Sequence, residues 1–205
     1  MARPATLDDW ESVYQATPAE QLPWYRETLD PDIERALVAH ELRVGTALDL
    51  GTGPGTQAVA LAQRGFEVTG TDVADAALSQ ASERARRAEV RVSFRWDDII
   101  DTRLTGPFDL VVDRGCFHVI ALHRRCEYVV AVHRLLATGG HLLLKTFSNL
   151  EPGSDGPYRY TPTELRSYFV GLMDIVDVSR TVFQGTRVPE PHALFAVLRK
   201  AGRHG

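Results

Sequence analysis

The stretch from Thr46 to Asp72, TALDLGTGPGTQAVALAQRGFEVTGTD, constrains the fold more than any other part of the chain. Ala47, Leu48 and Leu50 form a short apolar run, and Gly51, Gly53 and Gly55 follow at alternate positions. With no Cβ at those positions the backbone can turn tightly, and a ligand can lie directly on main chain. Thr56 is placed to cap a helix filled by Ala58, Ala60, Leu61 and Ala62, and Gly65 stands where a helix end takes a left-handed residue. Phe66 to Thr71 returns as a second strand that ends on Asp72. Strand, glycine turn, helix and strand make a βαβ unit, so the spacing predicts an α/β fold with a parallel sheet.

Asp72 lies about 20 residues beyond the glycines, where a strand-end carboxylate hydrogen-bonds two ribose hydroxyls. The unit therefore suits a nucleoside. Dinucleotide folds use G-x-G-x-x-G, whereas the spacing here is G-x-G-x-G, with Asp49 two residues before the first glycine and nothing basic between Gly45 and Gln63. That pattern disfavours a pyrophosphate and suits a ligand bearing an ammonium group. S-adenosylmethionine carries a sulfonium, an ammonium, a carboxylate and a ribose, and an acid at each end matches its charges.

A chain of 205 residues supports one domain with a full core. Its formal charge of −4 gives no electrostatic reason to expect nucleic acid, and the Arg84, Arg86, Arg87 face of one helix reads as solvated. Two cysteines without a C-x-x-C pair, and seven histidines without H-x-H or H-E-x-x-H, predict neither a disulfide framework nor a metal site. Met1 to Trp10 is polar and no apolar run approaches 18 residues, so the expectation is a cytoplasmic protein without membrane attachment. The expected assembly is a monomer or weak dimer.

Along the chain, Thr6 and Asp9 bracket a first helical turn, with Trp10, Val13 and Tyr14 on one face. Asp30-Pro31 reads as the start of a second helix with Ile33, Ala36, Leu37 and His40 inward. After Asp72, Asp75 caps a helix striped by Leu78, Ala81, Ala85 and Ala88, and Val90, Val92 and Phe94 alternate as a third strand. Phe108 to Val112 is apolar as expected of a central parallel strand. It delivers Asp113-Arg114-Gly115-Cys116-Phe117-His118 to the sheet edge where such folds bind ligands. Leu122, Cys126, Val129, Val130, His133 and Leu136 predict a helix with Cys126 in its core stripe, stopped by Gly139-Gly140. His141 to Lys145 is the fifth strand, 149–157 a loop, and Thr161-Pro162-Thr163-Glu164 a capping box. Two last strands, 174–179 and 193–199, predict a hairpin.

These residues resemble the class I S-adenosylmethionine-dependent methyltransferases, whose first motif D/E-x-G-x-G-x-G is matched by Asp49-Leu50-Gly51-Thr52-Gly53-Pro54-Gly55. The resemblance spans about Thr46 to Lys200. It implies a Rossmann-like domain over 45–205, with a mostly parallel seven-stranded sheet, a C-terminal antiparallel hairpin and helices on both faces. An N-terminal helical lid over 1–44 would precede it, though Trp10, Tyr14 and Trp24 read equally as core aromatics. Around S-adenosylmethionine it implies Asp49, Gly51, Thr52, Gly53, Gly55, Asp72 and Val73, with Asp97 or Asp98 on the adenine amino group and Asp113 and Trp24 beside them. More narrowly, L-P-W at Trp24, D-R-G-C-F-H and G-P-Y-R-Y-T-P-x-E-L look like the thiopurine- and tellurite-resistance-like branch, which methylates small acceptors.

The expected function is methyl transfer to a small nucleophile, a thiol, a chalcogen anion or a phenol or quinol oxygen. Tyr14, Trp24, Arg114, Cys116, Phe117, Tyr158 and Arg159 are the expected acceptor-binding residues. A phenol, with a pKa near 10, benefits from a base more than a thiol near 8.5 does. His118 and Asp113 are the candidates, and their alternative readings are a helix-entry histidine and a turn-capping acid. Cys116 need not be a nucleophile, since direct transfer has no covalent enzyme intermediate. Two rival readings are a nucleotide-dependent oxidoreductase and a methyltransferase acting on a macromolecule, the latter without a basic track to support it.

Overall fold

A computed structural model describes residues 7–202 of the chain, with side chains from Asp9 onward. Thr6, expected to bracket the first helical turn, lies outside the described residues.

Strand β1 (Gly45–Leu50) pairs in parallel with β2 (Phe66–Asp72) on one side and β4 (Phe108–Arg114) on the other. Strand β3 (Val92–Trp96) extends the sheet beyond β2, and β5 (Leu136–Ser148) lies parallel to β4. The antiparallel pair β7 (Asp174–Val182) and β8 (His192–Arg199) closes the other side, giving the order β3-β2-β1-β4-β5-β8-β7. An eighth, two-residue strand, β6 (Arg159–Tyr160), pairs with the last two residues of β5, beyond the point where β4 ends opposite Lys145.

Helices cover both faces because the central strands are apolar on both. On one side α2 (Pro31–Ala39) and α3 (Thr56–Ala62) pack Ile33, Leu37 and Leu61 against Ala47, Leu110, Val112 and Leu143. On the other, α5 (Arg125–Leu135) and α6 (Pro162–Phe169) pack Tyr128, Val132, Leu165 and Phe169 against Leu48, Val111, Leu142 and Leu144. Each such leucine removed from water contributes about 1.5–3 kcal/mol. Helix α4 (Asp75–Arg87) turns Ala77, Ala81 and Ala85 inward. Those small residues let it approach the glycine turn so closely that a Cβ on Gly55 would stand 2.8 Å from the Ala81 side chain.

Several local boundaries differ from the sequence reading. Gly55, at φ +78°, is itself the N-cap of α3, and Thr56 is its first residue. Ala74 rather than Asp75 caps α4, its N–H held by the Asp72 carboxylate at 3.0 Å. Helix α5 ends at Leu135 and the chain passes straight into β5, so Gly139 and Gly140 lie within the strand. The inward face of α5 is Arg125, Tyr128, Val129, Ala131, Val132 and Leu135, which leaves Cys126 exposed. Burial of Arg125 rotates the helix: its guanidinium lies 4.2 Å from the Tyr158 ring centre and 4.8 Å from that of Tyr160. A stripe drawn through apolar residues alone misses this, because aromatic faces accept a cation.

Helix α1 (Leu7–Ala16) lies across the N-terminal end of α4. Glu11 accepts the Ala76 N–H at 3.1 Å, and Gln80 donates to the Tyr14 carbonyl at 2.8 Å. Among the described residues no helix is long and apolar enough to cross a membrane.

Candidate active site

A cavity of about 700 Å³ opens at the C-terminal ends of β1, β2, β4 and β5, where the chain reverses direction across the sheet. Gly51, Thr52 and Gly53 form its floor on one side. At φ +60° and +51° the two glycines hold a conformation that side chains disfavour, and their missing Cβ atoms leave room for Cys116 and for the Tyr14 hydroxyl respectively. Asp72 closes that floor, one carboxylate oxygen accepting the Gly53 N–H at 2.9 Å and the other that of Ala74. Each oxygen has a second lone pair for a further donor. Burial raises the Asp72 pKa above the usual carboxylate value.

Asp49 sits beneath the same turn, accepting the Thr52 hydroxyl at 2.6 Å, and burial pushes its pKa up to about 7. Val73 also lines the cavity, its carbonyl held by the Trp96 indole at 2.8 Å. Of the paired acids after β3, Asp97 spends both oxygens on the Thr102 hydroxyl and the Arg103 N–H. Asp98 uses one oxygen on the Ile100 N–H, and its other oxygen makes it the better-placed acceptor for an amino group.

Four expected site residues do not line the cavity, and each has a structural task instead. Gly55 is the left-handed cap already described. The buried Asp113 accepts the N–H groups of Gly115, Cys116 and Phe117 at 2.7–3.0 Å and the Tyr128 hydroxyl at 2.6 Å. It is a turn-capping acid, and burial raises its pKa to about 6. Phe117 is fully buried in the core against Tyr128 and Tyr160. The Tyr158 hydroxyl donates to Glu164 at 2.6 Å while its ring covers Arg125.

Two arginines do line the cavity with their guanidiniums committed elsewhere. Arg159 donates to the carbonyls of Glu151, Pro152, Asp155 and Pro157, gathering the loop into one piece. Arg114 binds Asp30 at 2.7 Å, the Trp24 carbonyl at 2.9 Å and the Gln184 carbonyl. It belongs to a buried network that sequence reasoning missed. There the Lys145 ammonium contacts both oxygens of Asp30 at 2.8 Å, Asp32 at 2.6 Å and Gln184 at 2.7 Å. Burial works to raise the Asp30 pKa, but Lys145 and Arg114 outweigh it and hold Asp30 below the usual carboxylate range. Since the ion pairs of Asp30 with Arg114 and Lys145 join residues more than 80 apart in sequence, no local motif announces the network.

At the other end of the cavity His118, Phe147 and Phe183 form an aromatic corner, with ring centres 4.9, 5.6 and 5.3 Å apart. Cys116 lines the cavity against Gly51, its thiol pKa raised by burial and by Asp113, so it is a neutral thiol. Trp10, Tyr14 and Trp24 also line the cavity, Trp10 stacked on Tyr14 and Trp24 edge-on to both, with ring centres 5.8–6.3 Å apart. Phe147 was visible in sequence only as the end of a strand. Phe183 follows β7, and nothing in its neighbourhood marks it.

A sequence family described as "methyltransferase domain" matches residues 47–140, the segment that builds the glycine floor and both central strands. The protein is an S-adenosylmethionine-dependent methyltransferase. This methyltransferase is 29% identical over 180 residues to the 2-heptyl-1-hydroxyquinolin-4(1H)-one methyltransferase of Mycobacteroides abscessus, covering 84% of this chain and 79% of that one. With thiocyanate methyltransferase 1 of Arabidopsis thaliana it shares 29% over 153 residues, 73% of this chain and 66% of the relative. Its fold superposes with a TM-score of 0.80 on the Burkholderia thailandensis 1,6-didemethyltoxoflavin-N1-methyltransferase, at 23% identity, covering 98% and 92% of the two chains. S-adenosylmethionine is its cofactor. The glycine floor, the carboxylate of Asp72 at the end of β2 and the acid beneath the turn fit that molecule.

Proposed function

We propose that the methyltransferase acts on a small, planar, ring-bearing acceptor whose nucleophilic atom is anionic at neutral pH. The observation that carries this reading is the aromatic corner of Phe147, Phe183 and His118, flat surfaces that match a ring better than a compact inorganic anion. The names of the Mycobacteroides and Burkholderia relatives, which denote heteroaromatic compounds, support it. On this reading Asp72 receives the ribose hydroxyls, Asp98 the adenine amino group and Asp49 the ammonium. Gly51, Thr52, Gly53 and Val73 shape the niche, and Tyr14 and Trp24 roof it.

When bound, the cofactor supplies an electrophilic methyl group on a sulfonium. The chain's own residues hold the acceptor in line and exclude water, which is where most of the acceleration of such a displacement arises. An isotope-labelled methyl-transfer assay over hydroxylated heteroaromatics, simple phenols, thiols, sulfide and thiocyanate tests the reading. Turnover concentrated on acidic hydroxyheteroaromatics is expected. Turnover confined to thiocyanate or sulfide overturns it.

A further inference from the structure

Among the described residues His118 is the one imidazole on the cavity wall, and its hydrogen bonding fixes which nitrogen holds the proton. The Phe147 backbone N–H, which can only donate, points at His118 Nδ1 at 3.0 Å. A nitrogen that accepts a hydrogen bond carries no proton, so in the neutral ring the proton resides on Nε2. That atom lies beside Gly115, where a Cβ would stand 3.1 Å from it. Gly115, at φ +110°, thus supplies both the turn after β4 and the space for the ring edge at the cavity wall. The ring is further clamped by its own carbonyl, which accepts the Tyr158 N–H at 3.0 Å.

We propose that His118 is a neutral hydrogen-bond donor to the acceptor through Nε2–H, and that the enzyme therefore selects acceptors already ionised in solution. This rests on the ring-bearing acceptor read above and deepens it. The surroundings agree. The charges that act on His118 are the guanidiniums of Arg125 on α5, Arg114 on β4 and Arg159 on β6, while β5 and the segment after β7 present the uncharged Phe147 and Phe183. Burial first and these arginines second push its pKa down to about 3. Neither neighbouring group is a base: Asp113 is fully engaged by four donors away from the cavity, and Cys116 is protonated. With an anionic acceptor the step balances without a proton transfer. The acceptor's lone pair forms the new bond to the methyl carbon, and the carbon–sulfur bond breaks with its electron pair left on sulfur. Negative acceptor and positive sulfonium become two neutral products.

The test joins a ring measurement to a kinetic one. Nitrogen-15 correlation spectra of the labelled protein should show His118 neutral and protonated on Nε2 at pH 5–8; a proton on Nδ1, or titration near the ordinary histidine value, overturns the proposal whatever the acceptor proves to be. In kinetics, the pH midpoint of kcat/KM should move with the pKa of each acceptor in a graded series. His118→Gln, which keeps a donor at the Nε2 position, should retain most activity, and His118→Phe should lose about 10- to 100-fold on an ionised acceptor, the range expected for one charge-assisted hydrogen bond. A midpoint fixed across acceptors and absent from His118→Gln identifies a base and sinks the proposal. Should the acceptor screen turn up only thiols, the ring-bearing reading falls, while the spectra and the midpoint series still decide the role of His118.

Discussion

Asp49 and Asp113 are both buried acids on neighbouring strands, yet their surroundings assign them different work. Asp113 has four donors and no face toward the cavity; Asp49 has the Thr52 hydroxyl and a place on the cavity wall. Burial pushes the Asp49 pKa to about 7, so near neutrality it is a mixture of acid and carboxylate. An ammonium partner needs the carboxylate. Cofactor affinity should therefore rise as pH is raised through about 7 and level off above it, because below that value a proton must first be expelled. Asp49→Asn should abolish the rise and weaken binding by about 10- to 100-fold above pH 7. Calorimetry showing the same slope in the variant would remove Asp49 from the ammonium site.

At the scale of elements, the loop between β5 and β6 owes its form to one side chain. Four carbonyls between Glu151 and Pro157 converge on Arg159, and Asp155, Gly156 and Pro157 line the cavity. Arg159→Ala should loosen that wall and raise the acceptor KM about tenfold, equivalent to the loss of about 1.5 kcal/mol, with cofactor affinity unchanged. An unaltered KM would show that the loop holds its shape without the clasp. The βαβ unit, the apolar central strand and the final hairpin were legible in sequence because glycine spacing and apolar runs are local signals. The buried face of α5 was not legible, since Arg125 is buried by aromatic rings from Phe117, Tyr158 and Tyr160, which only the fold assembles. The same limit applied to the site. Asp49, Asp72 and the glycines declared themselves by spacing, whereas the commitments of Arg114, Arg159 and His118 depend on partners that lie far off along the chain or in a loop without regular spacing.

For the whole molecule, the N-terminal segment is held by α1 at one end and by Asp30 at the other, and Arg84, Arg114 and Thr186 bind the stretch between them at Glu20, Leu22, Pro23, Trp24 and Tyr25. One anchor is α1 on α4, through Glu11 and Gln80; the other is Asp30, locked to Lys145 and Arg114 in the interior. Removing a single partner from such a buried charge network costs about 3–5 kcal/mol, so Asp30 is the firmest of these attachments. Between them the Tyr14 hydroxyl rests on Gly53, above the niche. The acceptor corner has a separate roof, the 155–157 loop and Arg187. On the reading proposed above, two coverings over one cavity set a sequence in time: the nucleoside is seated beneath Tyr14 first, and what remains of it leaves only after the methylated product has gone. Steady-state kinetics should accordingly be ordered, with S-adenosylhomocysteine competing against the cofactor and the methylated product inhibiting noncompetitively against it. A methylated product that competes with the cofactor would mean that the two partners load in either order.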